Sequence, residues 1–360
     1  MKKIDEWKRF FEKRGVIPEL IEKYLDQIAR LNKSGAPIIF EVEHLSLLIG
    51  IKYDTLLKMI HGGSSFYRKF TIKKKSGGDR VIEAPYPSLM QCQNWIYENI
   101  LLKCEVHPSA HGYVRGKSIF TNASPHLNRS SLLKMDFENF FPSIKIGWVV
   151  SFFSRLGYSK KVSFALASLC CNDGCLVQGA PTSPYLTNIL LRRLDKKLFQ
   201  LAAKSDIAYT RYADDITFSA QLIPSYFPGL VASICARYAL KINSNKTQLL
   251  VNKNKRVVTG LSVSGESLRI TRELRRKIKQ DLFYIEKYGL LSHISSQKIK
   301  DPFYLDSILG KVNFWLQAEP ANEEALSYKE ILLSYFSNSK VDVLLKRKST
   351  RRSVGLLAAE

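Results

Sequence analysis

Two adjacent aspartates stand out in a basic chain. Ile207-Ala208-Tyr209-Thr210-Arg211-Tyr212-Ala213-Asp214-Asp215-Ile216-Thr217-Phe218-Ser219 reads as a strand, an acidic turn and a second strand. Carboxylates side by side at a hairpin tip repel each other unless a cation lies between them and a third ligand. Asp136 has a similar setting, after Leu132-Leu133-Lys134-Met135 and before Phe137-Glu138-Asn139-Phe140-Phe141. Two strand-borne Asp sites that met in space would hold two divalent ions ~3.5–4 Å apart, as in-line phosphoryl transfer needs. Taken alone, the pair also suits an ordinary turn, and Asp136 a helix cap. Between them, Gln178-Gly179-Ala180-Pro181-Thr182-Ser183-Pro184-Tyr185-Leu186-Thr187-Asn188 is a small-residue loop leading into a helix. Gly179 and Ala180 would let a base pair approach the backbone there.

The elements that must carry these residues follow from patterning. Glu6–Lys13, Pro18–Leu31, Glu43–Leu48 and Tyr53–Ile60 show helical spacing. Residues 66–84 alternate around a basic tip, Lys73–Lys75 and Ser76-Gly77-Gly78-Asp79, which predicts a hairpin. Leu89–Lys103 reads as helix, 107–130 as loop, Ser131–Asp136 as strand and Ser143–Leu156 as helix. From Thr271 the chain is helical and basic. The pattern is mixed α+β with helices at both ends.

Composition narrows the partners. The 360 residues carry 55 Lys and Arg against 32 Asp and Glu, a net charge of +23. With 45% hydrophobic residues the chain can bury a core. Such a basic surface expects a polyanion, nucleic acid first. No apolar run reaches the ~18 residues of a membrane span. The basic start, Met1-Lys2-Lys3, has no apolar run behind it, so no signal peptide is expected. The expected location is the cytoplasm. Cys170, Cys171 and Cys175 lack a second short-spaced Cys or His pair, so they read as buried reduced thiols rather than a zinc site.

The three segments, in this order, resemble the reverse transcriptases. Tyr212-Ala213-Asp214-Asp215 matches the YxDD box, Asp136 with Phe140-Phe141-Pro142-Ser143-Ile144 the first-carboxylate motif, and Gln178–Pro184 the template-contacting loop. Arg80, Pro85 and Gln91 match the fingers pattern, His111-Gly112-Tyr113-Val114-Arg115-Gly116-Lys117-Ser118-Ile119 the next block, and Asn245-Lys246-Thr247 the later lysine motif. The resemblance covers about residues 60–265. Asn122-Ala123-Ser124-Pro125-His126 fits an NAxxH element and Val258-Thr259-Gly260 a VTG element, both typical of retron reverse transcriptases. Each is short, and a tied-down loop or a simple turn would also explain it.

The resemblance implies a right-hand polymerase fold: a helical region at 1–60, interleaved fingers and palm with an antiparallel palm sheet at 61–265, and a thumb with an RNA-binding region at 266–360. It implies two Mg²⁺ ions on Asp136 and Asp214, with Asp215 completing the acidic site and the Phe137 carbonyl as a further ligand. Phe141 occupies the steric-gate position, where a ring excludes a ribose 2′-OH; Phe140 and Phe141 cannot both face the nucleotide. Arg80 and a lysine of the Lys73–Lys75 run, Lys73 foremost, would grip the triphosphate. Lys246 would protonate or position pyrophosphate, or else be a surface lysine. Gln178 and Gly179 would touch the template–nucleotide pair. The expected nucleic-acid residues are Arg115, Asn122, His126 and Thr259, together with a thumb helix. That helix is expected to carry Arg269, Arg272, Arg275, Arg276, Lys277 and Lys279 outward, with Leu274, Ile278 and Leu282 toward the core. Lys346-Arg347-Lys348 and Arg351-Arg352 are either further RNA contacts or a basic tail.

A retron enzyme copies part of its own structured noncoding RNA from a 2′-OH of an internal guanosine. The product is branched DNA, and the resemblance also implies an antiphage role with a separate effector protein. Other readings are another bacterial reverse transcriptase (a defence, diversity-generating or intron-type enzyme) and an RNA-binding scaffold on a decayed polymerase fold. The intact Asp136, Asp214 and Asp215 argue against the scaffold, and the absence of an amphipathic Trp-rich anchor argues against membrane association.

Overall fold

The computed structural model describes residues 2–74, 77–251 and 255–336. Lys75, Lys346-Arg347-Lys348 and Arg351-Arg352 lie outside the described residues. Two compact units are present: Met1–Pro125 with Ser130–Asn252, and His126–Arg129 with Lys253–Glu360.

The first unit begins with helices Lys2–Lys13, Pro18–Ser34, Val42–Ile49 and Tyr53–His61. Proline at the first helical position starts the second, and Gly35 in the left-handed region ends it. Strands β1 (Tyr67–Lys73) and β2 (Asp79–Pro85) then form the expected hairpin, with Tyr67 opposite Pro85 and Lys73 opposite Asp79. Helix Pro87–Asn99 follows.

A four-stranded sheet is built from β3 (Ser131–Asp136), β4 (Ala208–Tyr212), β5 (Asp215–Ala220) and β6 (Gln248–Val251). Its strand order is β4-β5-β3-β6, all antiparallel. The central strands are buried nearly throughout, because helices Lys160–Cys170, Ser183–Leu190, Arg192–Ala203 and Phe227–Ala236 share one core with them. Leu45, Leu56 and Met59 of the N-terminal helices belong to the same core.

One helix begins later than its periodicity suggests. It runs Ile146–Leu156 and not from Ser143; residues Phe140–Ser143 form a separate single turn. Lys145 is extended and bridges Cys175, with Ile146 N donating to Gly174 O and Leu176 N to Ile144 O. That pairing holds residues 144–146 out of the helix.

In the second unit β7 (Val257–Val258), β8 (Leu261–Ser262) and β9 (Arg269–Ile270) make a small antiparallel sheet. Asn128 N donates to Gly265 O, which ties residues 126–129 to it. Helices Arg272–Tyr288, Leu290–Ser296 and Tyr304–Ala318 and a helical run at 323–336 follow. Ile278, Leu282 and Ile285 pack on Ile308, Val312 and Trp315. Arg269 is not on the helix, as its charge pattern suggested; it lies in β9 opposite Ser262, because Thr271 caps the helix after it. No helix among the described residues is long and apolar enough to cross a membrane.

Candidate active site

β4 and β5 are joined through Ala213 and Asp214, and Tyr212 pairs with Asp215. Ala213 sits at φ +58°, a left-handed conformation that costs a non-glycine residue about 1–2 kcal/mol. Its neighbours hold it there. The segment Ser109–Gly112 lies beside β4: Arg211 N donates to Ser109 O and His111 N to Arg211 O, both at 2.8 Å. A Cβ on Gly112 would come 2.6 Å from Ala213 N, so only glycine allows this approach. Asn188 Nδ2 fixes the Gly112 carbonyl at 2.8 Å.

β3 delivers the third carboxylate. Asp136, its last residue, is directly opposite Asp215 of β5. Opposed residues of an antiparallel pair project from the same face, so two like charges are neighbours there. Asn243 N donates to Asp136 O at 2.8 Å, and Phe137 N to Asp214 O at 3.4 Å. The second bond stitches the two acidic strand ends together, and the first ties Asp136 to the segment that leads into β6.

The electrostatics follow from that crowding. Burial, then Asp136, then Asp215 push Asp214 up to about 6. Asp215 is also raised, by desolvation first and then by Asp136, although the residue reaches solvent. The ammonium of Lys246 pairs with Asp136 Oδ2, and this bond is the largest cause of that lysine's raised pKa. Asp136 is 6% exposed, and its Oδ1 is buried with no hydrogen-bond partner among the described residues.

Three carboxylates and an unpartnered buried oxygen, only partly compensated by the ammonium groups of Lys246 and Lys134, are a donor set that fits hard divalent cations. As they stand, no three His, Cys, Asp or Glu side chains among the described residues are already arranged to hold a metal ion. Lys246 supplies the counter-charge at Asp136 in this structure.

Other expected residues take definite places. Phe140 is buried and stacks on Phe137 at 5.5 Å and 10°, whereas Phe141 is partly exposed. Of the two rings, Phe140 is therefore the one taken into the core, and Phe141 is the one that reaches the surface. Gly179 has φ +126°, and a Cβ on it would lie 2.6 Å from Glu83 O. The close approach that demands glycine is therefore to the β1–β2 hairpin, where Glu83 N also donates to Gln178 O at 2.8 Å. Arg80 and Lys73 are exposed on that hairpin. Arg115 is exposed, and Asn122 is buried on the short helix Ile119–Ala123.

In the second unit His126 is buried, and Thr259 at φ +44° forms the β7–β8 turn with Gly260. Arg272 and Arg276 are exposed and line a hollow of about 310 Å³ with Lys255, Thr271 and Glu273. Arg275 and Lys279 are committed elsewhere. Arg275 Nη2 meets Glu319 at 2.5 Å and its guanidinium lies over Trp315; Lys279 pairs with Glu324 at 2.6 Å.

Four residues to which the sequence reading gave no role stand around the turn. Asp195 is fully buried against Arg211. Asn188 and Gly112 together brace the turn, as above. Tyr113, at φ +62°, is close enough to Asp214, Tyr212 and Arg80 to feel their charges. A lone acid in an otherwise basic helix start, Arg192-Arg193-Leu194-Asp195, was the available signal for the first.

A family model described as "Reverse transcriptase (RNA-dependent DNA polymerase)" matches residues 72–273. The Retron Ec86 reverse transcriptase of Escherichia coli is 35% identical over 260 residues, 71% of this chain and 81% of that protein. The Retron Mx65 reverse transcriptase of Myxococcus xanthus is 34% identical over 277 residues, covering 70% of this chain and 64% of that protein. The Retron Ec83 reverse transcriptase of Escherichia coli is 29% identical over 293 residues, covering 77% and 90%. The chain belongs to the reverse transcriptase family, as a retron-type, right-hand-fold RNA-directed DNA polymerase that works with an RNA template, nucleotide substrates and a divalent cation.

Proposed function

We propose that this enzyme copies part of its own structured noncoding RNA into multicopy single-stranded DNA, starting from a 2′-OH of an internal guanosine. The observation that carries the chemistry is Asp136 opposite Asp215, with Asp214 in the adjoining turn and Asp136 Oδ1 unpartnered. Asp136, Asp214 and the Phe137 carbonyl would hold two Mg²⁺ ions, with Asp215 completing the acidic cluster. Bound there, divalent ions lower the pKa of the attacking hydroxyl and neutralise the leaving pyrophosphate.

The remaining roles belong to the chain itself. Phe141 blocks a ribose 2′-OH with its ring. Arg80 and Lys73 grip the triphosphate through charge-assisted donors. Lys246, kept protonated by Asp136, donates to pyrophosphate. Gln178 and Gly179 touch the template–nucleotide pair. Arg115 reaches RNA from the surface, and buried Asn122 and His126 set the loop that follows it. Thr259 shapes the β7–β8 turn, and Arg272 and Arg276 meet phosphates, while Arg275 and Lys279 hold the helix that presents them. The DNA–RNA product acts in the cytoplasm with a separate effector protein in antiphage defence. The retron relatives and the NAxxH and VTG elements support this assignment.

The test is to express the gene with its native flanking DNA and analyse the nucleic acid that copurifies. The expected result is a discrete DNA whose mobility changes on debranching and which is absent with Asp214→Asn. Activity on an added primer–template without branched DNA would overturn the retron substrate while keeping the polymerase.

A further inference from the structure

Beneath the acidic turn lies a charged cluster that none of the roles above uses. Arg211 precedes Tyr212 on β4, and its side chain is fully buried. Nε and Nη2 donate to Asp195 Oδ1 at 2.8 Å and Oδ2 at 2.7 Å, a two-pronged fork. Asp195 comes from helix Arg192–Ala203 and is also fully buried. The Tyr209 hydroxyl donates to the same Oδ1 at 2.8 Å. The third guanidinium nitrogen, Nη1, donates to the carbonyl of Ala213 at 3.0 Å.

We propose that Arg211, oriented by Asp195 and Tyr209, is a positioning residue that fixes the Ala213 carbonyl and so aims Asp214 and Asp215 at the divalent ions. The inference rests on the reading of those aspartates as metal-holding groups. Three features support it. Ala213 is the one residue of the turn held in a left-handed conformation, so its peptide needs an external tie. The tie comes from a planar fork that fits a carboxylate in one orientation only. Main-chain bonds to Ser109 and His111 fix the backbone of Arg211 itself.

The action is mechanical rather than electrostatic. Asp195 neutralises the guanidinium at 2.7 Å, while the charges that shift Asp214 are those of Asp136, Asp215 and Lys246. A buried ion pair gives little net stability compared with apolar residues of similar volume. What it supplies here is direction, through one hydrogen bond to one carbonyl.

The experiment compares wild type with Arg211→Lys and with the double variant Arg211→Met/Asp195→Leu. Lysine keeps a charge beside Asp195 but has no second arm for Ala213; the double variant removes both charges at similar volume. Both are expected to fold and to bind RNA as wild type does. Per folded molecule, kcat for nucleotide incorporation should fall about ten- to a hundredfold, the span of one lost hydrogen bond to a charged group. The Mg²⁺ concentration for half-maximal activity should rise. Without nucleotide, Mg²⁺ should raise the thermal midpoint less than it does for wild type. A merely structural pair would change the yield of folded enzyme and none of these ratios. A folded variant with wild-type kcat and Mg²⁺ requirement would overturn the proposal. So would loss of folding in both variants, which would make the pair a stability element. An inactive wild type on primer–template would instead overturn the polymerase reading on which the inference stands.

Discussion

Removing one carboxylate from the acidic cluster should stabilise the metal-free protein, and the size of the gain follows from its crowding. Asp214 is pushed from its ordinary 3.8 to about 6 by burial and by Asp136 and Asp215. A folded-state pKa above the unfolded value means that the native protein binds the extra proton between those limits. Stability therefore falls as pH rises through that window. The penalty is absent below pH 3.8 and complete above about pH 6, where the shift is worth about 3 kcal/mol. Asp214→Asn removes the charge and leaves the Asp136–Lys246 pair intact. In chelator at pH 7.5 the variant should melt above wild type by several degrees, since 1 kcal/mol moves a unit of this size by about 2–4 °C. Near pH 4 the two melting points should converge. Added Mg²⁺ should close the gap at pH 7.5 by stabilising wild type alone. Differential scanning fluorimetry across pH reads all three. A variant no more stable than wild type at pH 7.5 in chelator would refute the argument, because the carboxylates would then not be in conflict.

The other predictions concern distinct parts of the molecule. Phe141→Ala should increase ribonucleotide incorporation in a primer-extension assay with mixed dNTP and rNTP; unchanged sugar selectivity would move the gate elsewhere. Arg272→Ala and Arg276→Ala should each lower the slope of log affinity against log salt by about one, measured by RNA binding at several ionic strengths. Arg275→Ala should leave that slope nearly unchanged and lower the melting temperature, because its guanidinium serves Glu319 and Trp315. Gly179→Ala should destabilise by at least about 1 kcal/mol, since its Cβ would sit 2.6 Å from Glu83 O in a left-handed backbone. A melting point equal to wild type would show that the β1–β2 hairpin is not anchored there.

Much of the site was legible before any coordinates because its chemistry is written in local pattern. Alternation on both sides of Asp214-Asp215 gives a hairpin, and an apolar run ending at Asp136 gives a strand whose tip carries the acid. Period-2 patterning and turn chemistry act over a few residues, so one sequence suffices to read them. The helix Arg272–Tyr288 was legible for the same reason: Ile278 and Leu282 recur at helical spacing and are buried. Local pattern failed where a distant segment imposed its own hydrogen bonds, as when Cys175 held Lys145 extended and delayed the helix start.

Residue type alone determined that this chain carries paired acids on strands, a basic helix and a surface suited to polyanions. Tertiary structure alone decided which of those groups are at liberty to act. Arg272 and Arg275 look alike in sequence, yet one faces solvent and the other is spent on Glu319, 44 residues away. Phe140 and Phe141 are neighbours of the same type, and packing against Phe137 takes the first into the core. Arg211 meets Asp195 across 16 residues, and Lys246 meets Asp136 across 110. A charge is neutralised or left available by what the fold brings within a few ångströms of it, and that distance is set by the packing of whole elements, not by neighbours along the chain.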